Sequence, residues 1–232
     1  MANTLETLKL ALHSLRQRDA KRVLLGVRNQ IVRSSVSIGL RRDLSEPFVG
    51  PAARVPLLVR EVSPSEVTAI LYSAALDGSL HERRDREVRL AHASEKLGRA
   101  FIAYAAESHQ PCFIQWIMSA ADNPRMKRFF RGRFPPLKPE EVLFENALTL
   151  PLFRGLGIMS CAMSRIAEIA AQRGFRYGLT FVAESNVASL RACAKAGFSP
   201  SVVRRDRAIC MGLLRQRRFD PLSPAAAASL LR

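Results

Sequence analysis

The sequence predicts a mixed α/β (α+β) fold with a helical N-terminal extension. Three observations carry that expectation. Apolar residues recur at helical spacing in some segments and alternate with polar ones in others. Pro, Gly, Ser or Asn punctuate the joints between segments. In the second half, a strand pattern, a basic glycine-bearing turn and an amphipathic helix follow one another directly, from Leu148 through Met159. The 232 residues suffice for a buried core without disulfide or metal staples. The composition, 48% hydrophobic and 24% charged, is that of a globular protein rather than a disordered or membrane-spanning one.

Taken in order, residues 4–31 read as helix. Leu5, Leu8, Leu12 and Leu15 recur at helical spacing, and Val23, Leu24, Val27 and Ile31 continue it after a break near Asp19. Such a basic amphipathic stretch packs on its own domain, on a dimer partner, or on an anionic membrane surface. Ser35–Leu40 alternates as a strand, and Pro47, Gly50 and Pro51 mark a loop. Arg54–Val62 is a second strand. Ser63-Pro64-Ser65-Glu66 is a capping-box start for a helix over Pro64–Leu76, and Leu80–Leu97 is a charged, solvent-facing helix. Arg99–Ala106 and Cys112–Met118 form a hairpin. Across 120–140 basic and aromatic residues interleave. Either they form a lid or nucleic-acid contact, or a short helix there seals the core edge with Phe129 and Phe130. Glu141–Leu150 is the central strand. Ser201–Arg205 and Ala208–Arg215 read as an antiparallel pair, followed by a tail containing Ala225–Ala228.

The run Leu148-Thr149-Leu150-Pro151-Leu152-Phe153-Arg154-Gly155-Leu156-Gly157-Ile158-Met159 has a clear physical use. A turn entering a helix leaves backbone N–H groups without partners, and the helix dipole adds to their attraction for phosphate. Gly155 and Gly157 permit close backbone approach, and Arg154 adds a charged fork. The helix Gly157–Arg173 stops at Gly174. Arg176–Ala183 is then a strand, and Glu184-Ser185-Asn186 opens a second helix, Val187–Ala196, closed by Gly197-Phe198. Arg154, Gly157 and Met159 resemble the acyl-CoA pyrophosphate loop of the GNAT N-acyltransferase superfamily, Arg/Gln-x-x-Gly-x-Gly/Ala, with Met159 departing from the small residue of the pattern. Asn186, Leu190, Lys195, Gly197 and Phe198 resemble the Asn…Leu-Tyr-Glu-Lys-x-Gly-Phe end of the same family. The resemblance is clearest over about residues 140–215 and is architectural upstream.

The resemblance implies a GNAT-like mixed, mostly antiparallel sheet flanked by helices. The expected division is a basic helical extension over 1–45, an acyltransferase domain over 46–216 and a tail over 217–232. It implies acetyl-CoA, or another acyl-CoA, as co-substrate. Leu148, Thr149 and Leu150 would hold the pantetheine arm along the strand edge. Arg154, Gly155, Leu156, Gly157, Ile158 and Met159 would hold the pyrophosphate. Asn186 would hold the pantetheine or cap its helix. An acceptor ammonium, with an ordinary pKa of about 10, must lose a proton before it attacks a thioester. Strand alternation places Glu141, Leu143, Glu145, Ala147 and Thr149 on one face. The family often draws its base from this strand, so Glu145 is the expected base, with Glu141 in reserve and Glu184 third. Glu145 could instead be an exposed strand-face carboxylate or a partner for Arg131 or Arg133, and Glu184 a helix-start carboxylate. Matching the family's acid tyrosine lands on Cys193, whose thiol either protonates the leaving thiolate or packs as a small apolar group.

The formal charge of +16 is concentrated at the chain ends. Residues 1–42 carry nine Lys/Arg against Glu6 and Asp19, and residues 204–232 carry seven Arg against Asp206 and Asp220. Such a field favours anionic partners, whether CoA, nucleic acid, acidic protein or lipid, and disfavours a polycationic acceptor. The cysteines Cys112, Cys161, Cys193 and Cys210 form no C-x-x-C pair and read as buried thiols of a reducing compartment. His13, His81, His92 and His109 have no metal-ligand spacing, so no metal is expected. No apolar run approaches the ~20 residues of a membrane span, and no signal peptide is evident, which makes the cytoplasm the expected location. The expected activity is acyl-CoA-dependent N-acyl transfer, acetyl first, by direct amine attack in a ternary complex. The acceptor is a small amine, a protein amine or aminoacyl-tRNA. The competing class is a catalytically weak GNAT-like module that binds acyl-CoA, or nucleic acid through its basic ends.

Overall fold

Near-continuous apolar runs in the middle of the chain, such as Ala100–Ala105 and Cys112–Met118, build a sheet whose centre is buried on both faces. In the computed structural model, residues 32–73, 80–209 and 214–229 are described. The strands are β1 (Val32–Asp43), β2 (Leu57–Val62), β3 (Arg99–Ala105), β4 (Pro111–Ser119), β5 (Glu141–Thr149), β6 (Tyr177–Ala183), β7 (Ser199–Ile209) and β8 (Leu214–Pro221). The helices are α1 (Pro64–Ser73), α2 (Leu80–Ser94), α3 (Asn123–Phe129), α4 (Ile158–Gln172), α5 (Val187–Lys195) and α6 (Pro224–Ser229). The helix expected over 4–31 lies outside the described residues, as do the end of the helix expected to reach Leu76 and Cys210.

The chain groups into two units. The smaller joins 32–37 with 203–209 and 214–220; the larger holds 38–73, 80–202 and 221–229. In the larger unit the strand order is β2-β3-β4-β5-β6-β1-β7. The neighbours β2–β3, β3–β4 and β4–β5 are antiparallel, and β5–β6 is parallel. This is the mixed, mostly antiparallel sheet that was expected. Every residue of β4 from Cys112 to Met118 is buried, so this strand is covered on both faces. On one face, Val67 and Leu71 of α1 and Ala93 of α2 pack with Ile102, Ile114 and Trp116. The long helix α4 buries Ile158, Ala162, Met163, Ile166, Ala167 and Ala170 and packs against β2, β4 and β5. Its apolar stripe follows the i, i+4 rule of a core-facing helix.

The segment 120–140 is the short helix of the sequence analysis. Phe130 meets Phe129 and Phe134 edge to face at 4.8 and 4.9 Å, and Phe134 lies 5.5 Å from Phe181. The rings pack inward, while Lys127 and Arg128 stay exposed. Asn123 pins the returning chain, donating to the Leu137 carbonyl at 2.9 Å and accepting from its N–H at 2.8 Å.

Two expectations change. Ser201–Arg205 and Ala208 belong to one strand, β7, and the second strand of the pair is β8. The charges at Asp206 and Arg207 do not mark a turn. Asp206 pairs with the buried Arg204 at 2.9 Å and with Arg217, inside the smaller unit. The face expected along β5 is also interrupted. Trp116 pairs with Glu145 and Ile114 with Leu148, so Asn146 and Ala147 together oppose the single residue Gln115. This is a β-bulge. It shifts the alternation: Leu148 packs against the cluster of Ile114 and Trp116. Ala147 and Thr149 therefore turn away from the face that carries Leu143 and Glu145.

Candidate active site

The bulge is where β5 leaves β6. Their parallel ladder runs from Glu141–Tyr177 to Phe144–Thr180 and ends there. Past that point a cleft of about 610 Å³ opens between the end of β5, the turn after it, α4 and α5. Ala147, Leu148 and Thr149 line it from the strand. Arg154, Gly155, Gly157, Ile158 and Met159 line it from the turn and α4, and Asn186 from the start of α5. A smaller cleft of about 270 Å³ lies beside it. Asp85, Arg89, Gln115, Arg133, Glu145 and Phe181 contribute to its walls. The two share Ala147, Met159, Asn186 and Ser189, so they meet at the bulge.

The turn presents glycine backbone to the cleft. Gly155 and Gly157 take φ of +77° and +74°, a left-handed conformation that costs other L-residues roughly 1–2 kcal/mol. A Cβ at Gly155 would meet nothing within 4 Å, so backbone conformation rather than space selects glycine there. Gly157 is the N-cap of α4. The first N–H groups of that helix have no intrahelical acceptor. The Leu156 carbonyl accepts from the Arg54 N–H at 2.9 Å, which anchors the turn. Arg154 is half-exposed and bonds Glu82 of α2 at 3.0 Å. Leu156 and Leu150 do not line the cleft. Leu150 is buried and donates its N–H to the Cys112 carbonyl at 2.9 Å. Asn186 caps α5, accepting from the Ser189 N–H at 3.1 Å. The residues at this cleft thus offer helix N-terminal N–H groups, a strand edge beyond the end of the β5–β6 ladder and a guanidinium, which fits a pyrophosphate followed by an amide-bearing arm.

The carboxylates separate. Glu145 is half-buried in the smaller cleft, beside Arg89. Burial lowers the Arg89 pKa below its ordinary value, and the charges of Asp85 and Glu145 oppose that shift. Glu141 sits at the opposite end of β5, where it accepts from the Lys138 N–H at 3.0 Å. Neither Glu141 nor Glu184 lines either cleft. Cys193 is not brought to the site. It is fully buried, its Sγ lies 3.8 Å from Met163 Sδ, and burial pushes its pKa up to about 12. On α5 it is Ala188, Ser189, Arg191, Ala192 and Lys195 that face the cleft.

Sequence reasoning missed four residues here: Arg89, His92, Gln115 and Asn146. Gln115 is buried, lies opposite the bulge and leaves its Oε1 without a hydrogen-bond partner. His92 is buried against the bulge. Only the absence of helical or strand logic for an Asn at φ +57° could have flagged Asn146, and a single sequence does not print φ. Among the described residues there is no cluster of metal-ligating side chains and no helix long and apolar enough to cross a membrane.

The profile of the Acetyltransferase (GNAT) family matches residues 79–198, from the start of α2 through Phe198. No curated protein matches the sequence. Among solved structures, a GNAT-family acetyltransferase from Colwellia psychrerythraea is similar with TM-score 0.50 at 14% identity, over 89% of this chain and 62% of that one. A Drosophila protein gives 0.49 at 11%, over 83% and 58%. A GCN5-related N-acetyltransferase from Sphaerobacter thermophilus gives 0.46 at 16%, over 80% and 56%. The chain spans less than two thirds of the length of each of these structures. At such identities the likeness concerns the fold, and it is the family profile, covering both clefts and more than half of the sequence, that assigns the chain. The chain belongs to the acetyltransferase (GNAT) family.

Proposed function

We propose that this protein is an acyl-CoA-dependent N-acyltransferase that transfers an acetyl group to a primary amine. The observation that carries this reading is the meeting of two clefts at Ala147, Met159, Asn186 and Ser189. One cleft has an anion-binding turn and the other a carboxylate. In this reading acetyl-CoA lies in the larger cleft with its pyrophosphate on the turn Arg154–Met159 and its arm along Ala147–Thr149. The amine enters beside Glu145. Glu145 takes the ammonium proton, directly or through a water, and the nitrogen lone pair attacks the thioester carbonyl carbon. As the C–S bond breaks, the nitrogen of the adduct sheds its second proton and becomes an amide nitrogen, and the departing thiolate takes up one proton in exchange, through solvent. With Cys193 buried away from the cleft, no side-chain acid is needed for a leaving group of such ordinary thiol acidity.

The test has two parts. Calorimetry with acetyl-CoA should show saturable binding, and CoA release should follow with a panel of primary amines. Glu145→Gln should lower kcat by about 10²–10⁴-fold while leaving acetyl-CoA affinity nearly unchanged, and it should abolish the acidic limb of the pH–rate profile. Binding without release for any amine would favour the alternative, a module that holds acyl-CoA as an effector. Absence of binding removes the reading altogether.

A further inference from the structure

Between the two clefts stands one residue in an unusual conformation. Asn146 has φ +57°, which an L-residue adopts readily only when something holds it there. Two side chains of α2 hold it. Asn146 Nδ2 donates to His92 Nδ1 at 2.7 Å, and the other ring nitrogen, Nε2, donates to the Leu97 carbonyl at 2.9 Å. A carbonyl only accepts, so Nε2 carries the proton and Nδ1 is the acceptor of a neutral ring. That ring is fixed in turn. It stacks on Trp116 at 4.8 Å and touches Phe129 and Phe130. Arg89, one helical turn before His92, reaches the carbonyls that the bulge strips of strand partners. Its Nη2 donates to Ala147 at 3.3 Å and its Nε to Asn146 at a long 3.5 Å.

We infer that His92 and Arg89 are positioning residues: together they clamp the Asn146–Ala147 bulge of β5 and so fix both the direction of Glu145 and the strand edge Ala147–Thr149 that follows. The inference rests on the acyl-transfer reading of the clefts. Its physical basis is that a bulge both tilts the strand and re-aims the side chains around it. Without the clamp, Asn146 relaxes to an extended φ, the strand returns toward β6, and Glu145 and the strand edge lose their common aim. A misplacement on the order of 1 Å is enough to cost about a hundredfold in rate.

Glycine at 146 separates this role from simple packing, because glycine adopts φ +57° with no side-chain help. The experiment compares His92→Phe, Asn146→Ala, Asn146→Gly and the double variant His92→Phe/Asn146→Gly. It measures acetyl-CoA affinity by calorimetry, CoA release with the fastest amine of the panel, and thermal midpoints. His92→Phe keeps the stacking and loses both hydrogen bonds, and Asn146→Ala leaves the aromatic core untouched. Each should lower kcat by about ten- to a hundredfold. Adding Asn146→Gly to His92→Phe should restore kcat to within about threefold of wild type, without restoring the thermal midpoint. The acidic limb of the pH profile should persist in every variant, because Glu145 remains the base and His92 transfers no proton. Additive losses in the double variant, kcat within threefold of wild type in both His92→Phe and Asn146→Ala, or loss of the acidic limb in His92→Phe would each overturn the inference. Nitrogen spectra of the His92 ring read the clamp without turnover. A protonated Nε2 and an accepting Nδ1 in the wild type support it, and the reverse tautomer overturns it even if no amine proves competent. Failure of acetyl-CoA to bind the wild type would instead strike the acyl-transfer reading itself.

Discussion

His92 is fully buried, and burial lowers its pKa to about 4, against the opposing influence of its bond to the Leu97 carbonyl and of the Asp122 charge. The unfolded chain offers an ordinary imidazole of pKa about 6.5. Between about pH 6.5 and pH 4 the unfolded state therefore binds a proton that the folded state refuses, and stability falls as the pH falls through that window. At about 1.4 kcal/mol per unit, the loss amounts to roughly 3 kcal/mol by pH 4. Urea unfolding of the wild type and of His92→Gln at pH 7 and pH 4.5 should show a smaller pH effect in the variant. An identical pH effect in both would assign the acid sensitivity to carboxylates. At the same scale, Met159 stands in the wall common to both clefts. A long flexible side chain stands there where the resembled pattern has a small residue.

Helix α2 is the element on which both clefts depend. Near its start Glu82 bonds Arg154 of the turn after β5, in its middle Arg89 reaches the bulge, and near its end His92 bonds Asn146. The sequence marks this helix only as charged and solvent-facing. That description fits Arg83, Arg84 and Glu87, which are exposed, but the face toward β5 carries site residues. The Glu82–Arg154 pair places a carboxylate on the guanidinium that a pyrophosphate would use. Arg154 is 53% exposed in its side chain, and pairs of that kind are worth about 0.2–1 kcal/mol. Glu82→Gln should therefore tighten acetyl-CoA binding by up to about fivefold, measured by calorimetry at low salt. Weaker binding would mean that Glu82 orients Arg154 rather than competing for it.

Over the whole molecule the charge is +16. In the smaller unit several arginines are already satisfied within the chain: Arg205 and Arg218 pair with Asp220, and Arg204 and Arg217 with Asp206. The remaining excess still sets a positive field, and acyl-CoA is an anion. Its association rate should fall by about tenfold as salt rises from about 20 mM to about 300 mM, while the dissociation rate changes little. Stopped-flow binding of a fluorescent CoA analogue measures both. A salt-independent association rate would show that the positive charge does not assist CoA capture.

The amino-acid sequence by itself determined the order of elements from β2 through α5, apart from α3, together with the turn Arg154–Met159 and the family, because each is written in local terms. Periodicity is decided within a few residues, and a glycine at positive φ followed by an amphipathic helix is a short, contiguous signal. Cys193 had two readings, and only the inward packing of α5 against Met163 showed which way the thiol points. The bulge was not legible at all. Alternation assumes an unbroken strand, so it carried the face of Glu145 on to Ala147 and Thr149, whereas the chain inserts a residue at Asn146. What allows that insertion is a histidine 54 residues earlier and an arginine 57 residues earlier. Neither has a periodic or spaced relation to β5, since their meeting depends on how α2 packs across the sheet. The tertiary structure alone decided where the strand bends, which carboxylate faces the cleft, and which helix holds the two in register.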